Sequence, residues 1–351
     1  MVSSTRGINS EGMREIIQSF GLDPDHFTVQ RIPSGHIHAT YKLVGNPSYI
    51  LQRVNKEVFI QPRIIASNLR FAADYLKKKH PGYLFLSALP TIKGEEMSFD
   101  EEGYPWRLFH FIDNSITIDK VGTEKEAYHA AAEFARLTNH LDGVDISLFH
   151  PTIDRFHDLS WRYEQFERAV EKASPERLRK GNGAIEICKR FKPLVDRYLE
   201  LIQMGSIPLR IMHNDTKINN ILLDATTRQA VCVIDLDTLM PGYFVYDVGD
   251  MIRTFVSPAN EEEKDLSKVV FRRPIYDALV AGYLSQMGEK LTDTEKKLFP
   301  YAGMMMTYIM ALRMLADFLN GDVYYHITYP EQNFVRATNQ LRLLDVFSTE
   351  L

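Results

Sequence analysis

Two short polar stretches constrain this chain more than any other feature of its sequence. The first is the run 213–220, HNDTKINN, and the second is Asp235, which closes the apolar, strand-like run 231–234. An Asp in a loop can orient and deprotonate a hydroxyl group, whereas an Asn carbonyl oxygen and a second Asp are the hard oxygen ligands that Mg²⁺ prefers. Lys217 can place a positive charge on nearby anionic oxygens. The sequence therefore predicts a hairpin whose loop carries a base, a cation and a metal site.

The spacing of these residues is that of a phosphoryl-transfer site of the protein-kinase type: His-x-Asp, then an Asn, then an Asp after the next strand. In this interpretation Asp215 is the catalytic base and Lys217 assists it, while Asn220 and Asp235 hold Mg²⁺ against the phosphates of ATP. The alternative is an ordinary hairpin with a polar loop, which His-x-Asp alone would favour. Because Asn220 and Asp235 both stand at the spacing that the kinase motif requires, the kinase interpretation is the better one.

Composition excludes several other classes. The 351 residues are 45% hydrophobic and 25% charged, which is typical of a globular protein with a substantial core. The net charge of -5 argues against a nucleic-acid partner. Cys188 and Cys232 are the only cysteines and lack metal-site spacing, so we expect a reducing, cytoplasmic setting without disulfides.

Neither the N-terminal residues nor the most apolar stretch of the chain predicts a membrane partner. Residues 1–10 contain no apolar signal-peptide core. The most apolar stretch, 302–319, is interrupted by Thr307, Arg313 and Asp317, and it is predicted to be a buried helix.

Periodicity divides the chain into a β-rich part and a helical part. The predicted elements up to residue 112 are a helix at 11–20, strands at 27–32, 40–44, 49–54, 89–92 and 106–111, and a helix at 64–79. Beyond it, helices are predicted at 124–141, 161–173, 185–203, 274–286, 295–319 and 331–347, interrupted by the hairpin at 210–237. This pattern predicts an α+β, bilobal protein-kinase-like fold. Its small mixed β N-lobe, 1–112, would bind the nucleotide, and its larger, mostly helical C-lobe, 113–351, would carry catalysis and substrate binding.

With these residues in view, the chain resembles the phosphotransferase family that includes aminoglycoside phosphotransferases and choline kinases, and within it the kinases of N-acetylhexosamines. The most specific stretches are SIPLR (206–210), HNDTK (213–217), IDLDT with MPG (234–242), EKDLSK (263–268) and GDVY (321–324). The resemblance implies ATP-dependent phosphorylation of the anomeric hydroxyl of GlcNAc or GalNAc, with Mg²⁺ as cofactor and the sugar and ATP as the small-molecule partners.

The resemblance also implies roles for individual residues. It matches Asp215 to the base, Asn220 and Asp235 to the Mg²⁺ ligands, and Asp247, with His213, to the support of the loop. The positions that match the sugar pocket are His36, Asp237, Arg313 and Tyr324. Two departures stand out: His38 replaces an Asn of the sugar kinases, and Gln52 lies where related kinases carry a phosphate-binding Lys, a lack that the sugar kinases share.

Several assignments keep two interpretations open. Gly35 belongs to a plain hairpin turn or to a loop facing nucleotide and sugar, and Phe109 and Phe111 are core residues or neighbours of the adenine. Arg313 pairs with Asp317 one helical turn away or binds the sugar.

Three further expectations concern charge. Asp237 is expected to share a strand face with Asp235. The run 261–263 is expected to be a solvated helix start.

The cations Arg313, Arg336 and Arg342 disfavour a polycationic acceptor, so a kinase of another small alcohol is the nearer rival. An inert nucleotide-binding regulator is less favoured, because the base and both metal ligands are all present.

Overall fold

The computed structural model describes residues 10–33 and 37–351. The chain forms two compact units, the first containing the described residues up to Ser115 together with Ser147–Ile153, and the second containing Ile116–Ile146 and Asp154–Leu351. It is a mixed α+β protein with a β-sheet N-terminal region and a helical C-terminal region, as the sequence predicts.

The first unit is an antiparallel sheet with two helices. Its elements are α1 (Ser10–Ser19), β1 (Thr28–Ile32), β2 (Ala39–Val44), β3 (Tyr49–Arg53), α2 (Pro62–Lys79), β4 (Ser98–Phe99) and β5 (Pro105–His110), and the strand order is β1-β2-β3-β5-β4. Ile16 and Ile17 of α1 pack on Leu43, Leu51 and Trp106 of the sheet. Burial of these apolar side chains is the main force that holds the helix on the sheet.

One predicted strand of this unit is wrong. Leu89 forms only an isolated bridge with Leu108, and the run 89–92 is not a strand. Pro90 has no N–H group to continue a ladder, and the hydroxyl of Thr91 accepts from the amides of Lys93 and Glu95, which turns the chain. The edge strand is instead β4, which pairs with the start of β5.

The second unit is mostly helical. Its elements are β6 (Ser115–Ile116, at the boundary), α3 (Glu124–His140), α4 (Leu159–Lys172), α5 (Pro175–Arg190), α6 (Pro193–Gln203), β7 (Leu209–Met212), β8 (Ile221–Asp224), β9 (Ala230–Val233), β10 (Met240–Tyr243), α7 (Phe244–Phe255), α8 (Arg273–Met287), α9 (Asp293–Lys296), α10 (Phe299–Leu319) and α11 (Gln332–Glu350). Strand β7 pairs with β10, and β8 pairs with β9. These two hairpin-like ladders, followed by α7, position the candidate site.

The helix α10 lies at the centre of this unit, against α4, α5, α7 and α11. Among the described residues it is the one helix long and apolar enough to cross a membrane by length and composition, but 83% of its most apolar window is buried inside the protein. That burial is the arrangement of a core helix.

Proline explains where two helix predictions fail. The predicted helix 185–203 is two helices, because Pro193 begins a new one, and α10 likewise has Pro300 in its first turn after the short α9. Helix α7 was not predicted. Eleven of its residues are buried, among them Asp247, Asp250 and Arg253, which recur every three residues, and this helical spacing is the signal that could have revealed it.

Candidate active site

The loop between β7 and β8 is held by one carboxylate of α7. Asp247 accepts hydrogen bonds from the backbone N–H of His213 through Oδ2 at 3.0 Å and from that of Asn214 through Oδ1 at 2.7 Å. The hydroxyl of Thr216 donates to the carbonyl oxygen of Asp247 at 2.6 Å. Burial raises the pKa of Asp247 to about 6, although His213 and the two amide hydrogen bonds favour the ionised form. Helix α7 thereby fixes the backbone on both sides of Asp215.

Asn214 gives the loop its sharp turn. Its φ is 64°, a left-handed conformation that Asn adopts more readily than most residues. Its side-chain Nδ2 donates to the carbonyl oxygens of Met212 and Thr238, both at 2.9 Å. Gly242 lies so close that a Cβ there would come within 2.6 Å of Oδ1 of Asn214. A larger residue at 242 would therefore displace the side chain that locks the turn.

The imidazole of His213 joins the two functional segments. Its Nδ1 accepts from the backbone N–H of Asp215 at 3.2 Å, so the ring proton is on Nε2, which donates to the carbonyl oxygen of Ile234 at 3.0 Å. The ring thus fixes the backbone at Asp215 and the backbone just before Asp235.

The carboxylate of Asp215 has two polar side-chain partners. Its Oδ1 lies 3.1 Å from Nζ of Lys217, and its Oδ2 accepts from Nδ2 of Asn220 at 3.1 Å. Burial alone would raise the pKa of Asp215, but the positive charge of Lys217, with smaller effects of His213 and Asn220, lowers it below its ordinary value. Asp215 in turn raises the pKa of Lys217. The carboxylate is therefore ionised at neutral pH and can accept a proton.

Asn220 and Asp235 lie on neighbouring segments. The N–H of Ile234 donates to the carbonyl oxygen of Asn220 at 2.9 Å, beside the β8–β9 ladder. The amide nitrogen of Asn220 is held by Asp215, so its amide oxygen remains to bind a cation. Asp235 is exposed and has a φ of 57°. The amide oxygen of Asn220, whose nitrogen binds Asp215, and the carboxylate of Asp235 are donors suited to Mg²⁺.

Asp237 lies near Asp235, but the backbone that positions it is not the strand that the sequence predicts. Strand β9 ends at Val233, and Leu236–Thr238 form a 3-10 turn, so strand alternation does not apply at Asp235 and Asp237. A carboxylate oxygen of Asp237 nevertheless lies within 4.8 Å of one of Asp235. The side chain of Asp237 is buried, whereas that of Asp235 is exposed.

Arg313 lies on α10 close to the same loop. Its guanidinium carbon is 5.4 Å from the ring centre of Phe156 and 5.6 Å from that of Tyr325, distances at which a cation is attracted to an aromatic face. Within residues 10–33 and 37–351, Arg313 has no carboxylate within ion-pair distance. The same holds for Arg162, which donates to the carbonyl oxygen of Phe156 and to Gln165.

His157 connects Arg313 to the loop. It is buried, and its Nε2–H donates to the carbonyl oxygen of Asn214 at 2.7 Å. Burial, with a contribution from the charge of Arg313, lowers the pKa of His157 to about 3, so the ring is neutral. Burial and the charge of Arg313 also lower the pKa of Arg162 to about 10. Two guanidinium groups without acidic partners in the described structure therefore lie against Phe156, and the next residue, His157, binds the loop of Asp215.

Tyr324 lies in a turn after α10 and is 68% exposed. Asp317 fixes the backbone there, because its Oδ1 accepts from the N–H groups of Val323 and Tyr324 and its Oδ2 from that of Tyr325. The carboxylate of Asp317 is thus committed to the turn, and the predicted alternative of an Arg313–Asp317 pair is not formed.

Other charges also differ from expectation. Arg336 and Arg342 do not contribute free positive charge, because Arg336 pairs with Glu261 at 2.8 Å and Arg342 with Asp345 at 3.3 Å. The expectation of a solvated helix start at 261–263 is wrong, because these residues form a turn and Glu261 binds the buried Arg253. Sequence patterns gave no signal for this pairing, since Arg253 and Arg336 lie 8 and 75 residues from Glu261, and neither separation is that of a side-chain pair on one helix.

In the first unit, Gly35 and His36 lie outside the described residues. His38 accepts from the N–H of Asn55 through Nδ1 at 3.0 Å and stacks on Phe59. Nζ of Lys42 lies 3.4 Å from the ring centre of Phe111.

A cation that the sequence analysis overlooked stands beside Gln52. Oε1 of Gln52 accepts from Nε and a terminal nitrogen of Arg107 at 2.9 and 2.6 Å, and the guanidinium carbon of Arg107 lies 5.3 Å from the ring centre of Phe109. Gln52 and Arg107 are cross-strand partners in β3 and β5. The charge was missed because it comes from the neighbouring strand.

The fold and this loop define a kinase-like phosphotransferase with an alcohol group as acceptor. The chain belongs to the phosphotransferase enzyme family, whose model (APH) matches residues 28–284.

Solved structures share the fold over nearly the whole chain. A microcompartment-associated aminopropanol kinase is 17% identical, with a TM-score of 0.69 and coverage of 96% of this chain and 95% of that chain. The spectinomycin phosphotransferase APH(9)-Ia is 14% identical, with a TM-score of 0.62 and coverage of 98% and 99%. A choline kinase from Cryptosporidium parvum Iowa II is 16% identical, with a TM-score of 0.57 and coverage of 97% of both chains.

Proposed function

We propose that the protein is an N-acetylhexosamine 1-kinase, which transfers the γ-phosphoryl group of ATP to the anomeric hydroxyl of GlcNAc or GalNAc. The observation that carries the transfer chemistry is the environment of Asp215, ionised between Lys217 and Asn220 at 3.1 Å from each. The observation that favours this acceptor is Arg313, which lacks an acidic partner in the described part of the chain.

In the transfer step, Asp215 accepts the proton of the anomeric hydroxyl as that oxygen forms its bond to the γ-phosphorus. The bond from phosphorus to the bridging oxygen breaks at the same time, and ADP leaves with the electron pair. Lys217 neutralises charge on the phosphoryl oxygens. The contribution of Asp215 is therefore both orientation and proton transfer.

Asn220 and Asp235 would hold Mg²⁺. The metal supplies charge neutralisation at the phosphate oxygens when it is bound. The amide oxygen of Asn220 and the exposed carboxylate of Asp235 are the donors this cation prefers. His213 keeps the backbone of both segments in place through its two ring nitrogens.

The sugar would lie beside Arg313. A guanidinium has five N–H donors and no acceptor, so it suits sugar hydroxyls or an acetamido oxygen. Asp237 and Tyr324, with His36, are the further proposed contacts. A free amino group near Arg313 and Arg162 would be repelled, which disfavours an acceptor such as the aminopropanol of one structural neighbour. A kinase of another neutral sugar is the second candidate.

The remaining proposals follow from the family fold. The segment 1–112 is proposed as the nucleotide-binding lobe, with Gly35, Phe109 and Phe111 near the nucleotide, and 113–351 as the catalytic and substrate-binding lobe. We further propose a cytoplasmic location, since both cysteines are buried free thiols.

A screen for ADP release tests the acceptor. Free sugars, amino sugars, N-acetylated amino sugars and aminoglycosides are offered with Mg²⁺-ATP, and the Asp215→Asn variant serves as the control for contaminating kinases. N-acetylhexosamines should be turned over and their methyl glycosides should not, because the anomeric oxygen is then blocked. The product should also be labile to mild acid. Turnover of the methyl glycoside, or an acid-stable product, would exclude a 1-kinase while leaving the phosphotransferase class intact.

A further inference from the structure

Asp250, one helical turn beyond Asp247 on α7, is buried with an incomplete set of partners. Its Oδ1 accepts from Nε and a terminal nitrogen of Arg253 at 3.1 and 2.8 Å. Its Oδ2 is buried and has no hydrogen-bond donor within residues 10–33 and 37–351. A buried carboxylate oxygen without a donor costs free energy, so a native protein needs a reason to keep one.

Arg253 is not free to cover this second oxygen. Its other terminal nitrogen is bound to Oε1 of Glu261 and lies 3.5 Å from Oε1 of Gln340. Glu261 is held in turn by Arg336. The guanidinium is therefore fixed between two carboxylates, and it leaves Oδ2 of Asp250 without a donor.

Burial raises the pKa of Asp250, and the charge of Arg253 and then that of Lys217, in the catalytic loop, oppose this effect. In this structure the ammonium group of Lys217 is bound to Asp215 and has no ion pair with Asp250. The hydroxyl of Thr216 donates to the carbonyl oxygen of Asp247, and a helical carbonyl points toward the following turn, which contains Asp250. Lys217, the next residue, thus leaves the loop beside that turn. Asp250 is also among the charges that raise the pKa of Lys217, after Asp215.

We propose that Asp250 is a positioning residue for Lys217, with its Oδ2 as an acceptor for the ammonium group. An ammonium group has three N–H donors. One serves Asp215, one serves Asp250, and one is left for the phosphoryl group in transfer. When Asp215 turns to the acceptor hydroxyl, Asp250 keeps the charge of Lys217 at the site. This inference rests on the proposed phosphoryl transfer.

A double-mutant cycle on rate tests it. Asp250→Asn keeps the size of the side chain and one oxygen for Arg253, and it should lower kcat roughly tenfold, within the couplings typical of one charge network. In the Lys217→Met background the same substitution should cause little further loss, because Asp250 acts through the ammonium group. An equal loss in both backgrounds, or no loss in either, would overturn the proposal.

Glu261→Gln is the matched control. It removes a carboxylate from the other side of the same Arg253, and this carboxylate pairs with Arg253 and Arg336 rather than with Lys217. It should lower the melting temperature, and its effect on kcat should be the same with Lys or Met at 217. If its effect depended on Lys217 as strongly as that of Asp250→Asn, the whole charge network would be responsible, and the specific role of Asp250 would be wrong.

Equilibrium denaturation without substrates separates this inference from the proposed function. In the Asp215→Asn background, Lys217→Met should still lower the denaturant midpoint, because Asp250 remains as a partner of the ammonium group. Adding Asp250→Asn should remove that effect. A Lys217→Met substitution without effect in the Asp215→Asn background would refute the pairing even if the enzyme is active. A protein that phosphorylates no acceptor would refute the proposed function, while these midpoints would still decide the pairing.

Discussion

Arg313 and Asp317 lie one helical turn apart on α10 and do not pair. Opposite charges at this spacing commonly form an ion pair on a helix surface. Here the carboxylate of Asp317 accepts from three backbone amides and from the amide nitrogen of Asn333. The guanidinium of Arg313 lies between aromatic rings instead.

Replacing Arg313 with Met tests what this unpaired charge does. Most of the apolar stem is kept and the donors are lost, so KM for the hexosamine should rise at least roughly tenfold while KM for ATP stays nearly constant, as expected for one lost charged hydrogen bond. Steady-state kinetics with each substrate varied in turn measures both constants.

Arg336→Met is the matched control for that substitution. Arg336 approaches the same ring of Tyr325, but it is paired with Glu261, so its loss should lower the melting temperature more than it changes the sugar KM. An Arg313→Met variant with an unchanged sugar KM and a lower melting temperature would make Arg313 a structural residue.

Asp215→Asn should abolish most of the chemistry and little else. The substitution keeps the size of the side chain but removes the base, and general-base assistance is worth about 10² to 10⁴ in rate. We expect kcat to fall by that factor, with nucleotide affinity largely retained. Turnover measurements check the fall in kcat, and calorimetry with a non-hydrolysable ATP analogue checks the nucleotide affinity. Near-normal turnover would remove Asp215 from the mechanism.

Asp235→Ala should change the metal requirement. Loss of one of two proposed ligands weakens the site, so a higher Mg²⁺ concentration should be needed for half-maximal activity. Asp237→Asn is the comparison, because its carboxylate lies within 4.8 Å of that of Asp235 and is proposed to contact the sugar. It should raise the sugar KM and leave the Mg²⁺ dependence close to normal. An Asp235→Ala variant with unaltered Mg²⁺ dependence would contradict the metal assignment.

The buried charges around Glu261 predict a loss of stability in acid. Burial opposes ionisation of Glu261, but Arg253 and Arg336 outweigh it and lower its pKa to about 2 from its ordinary value of 4.5. The folded state therefore binds this proton more weakly than the unfolded state, and the stabilisation present above pH 4.5 is lost as the pH falls from 4.5 toward 2. Denaturation midpoints across this window should fall less steeply for Glu261→Gln than for the parent protein. Parallel curves would show that the carboxylate contributes nothing to the pH dependence.

Local patterns in the sequence were sufficient to predict the α+β class and most of the helices. The loop residues of the candidate site could also be named, since a base, a cation and a metal ligand lie close together along the chain. Their roles stay predictions until the substitutions above are made. What the sequence could not show is which polar partner each charged side chain binds. Arg107 binds Gln52 on the neighbouring strand, and Glu261 binds both Arg253 and Arg336. Such pairs depend on tertiary packing and have no fixed spacing. The helix α7 was missed although Asp247, Asp250 and Arg253 recur at a helical spacing, and these polar side chains are buried rather than exposed to solvent.

Asp317 recognises main-chain atoms in the turn that carries Tyr324, and this has a consequence for how acceptor preference can change. The conformation of the turn does not depend on the side chains at 323 and 324, which are 77% and 68% exposed. Mutation can therefore exchange those side chains while the anchor beneath them stays intact. Given the proposed contact of Tyr324 with the sugar, this turn is a place where substitutions, in evolution or in the laboratory, should alter acceptor preference without first disrupting the fold.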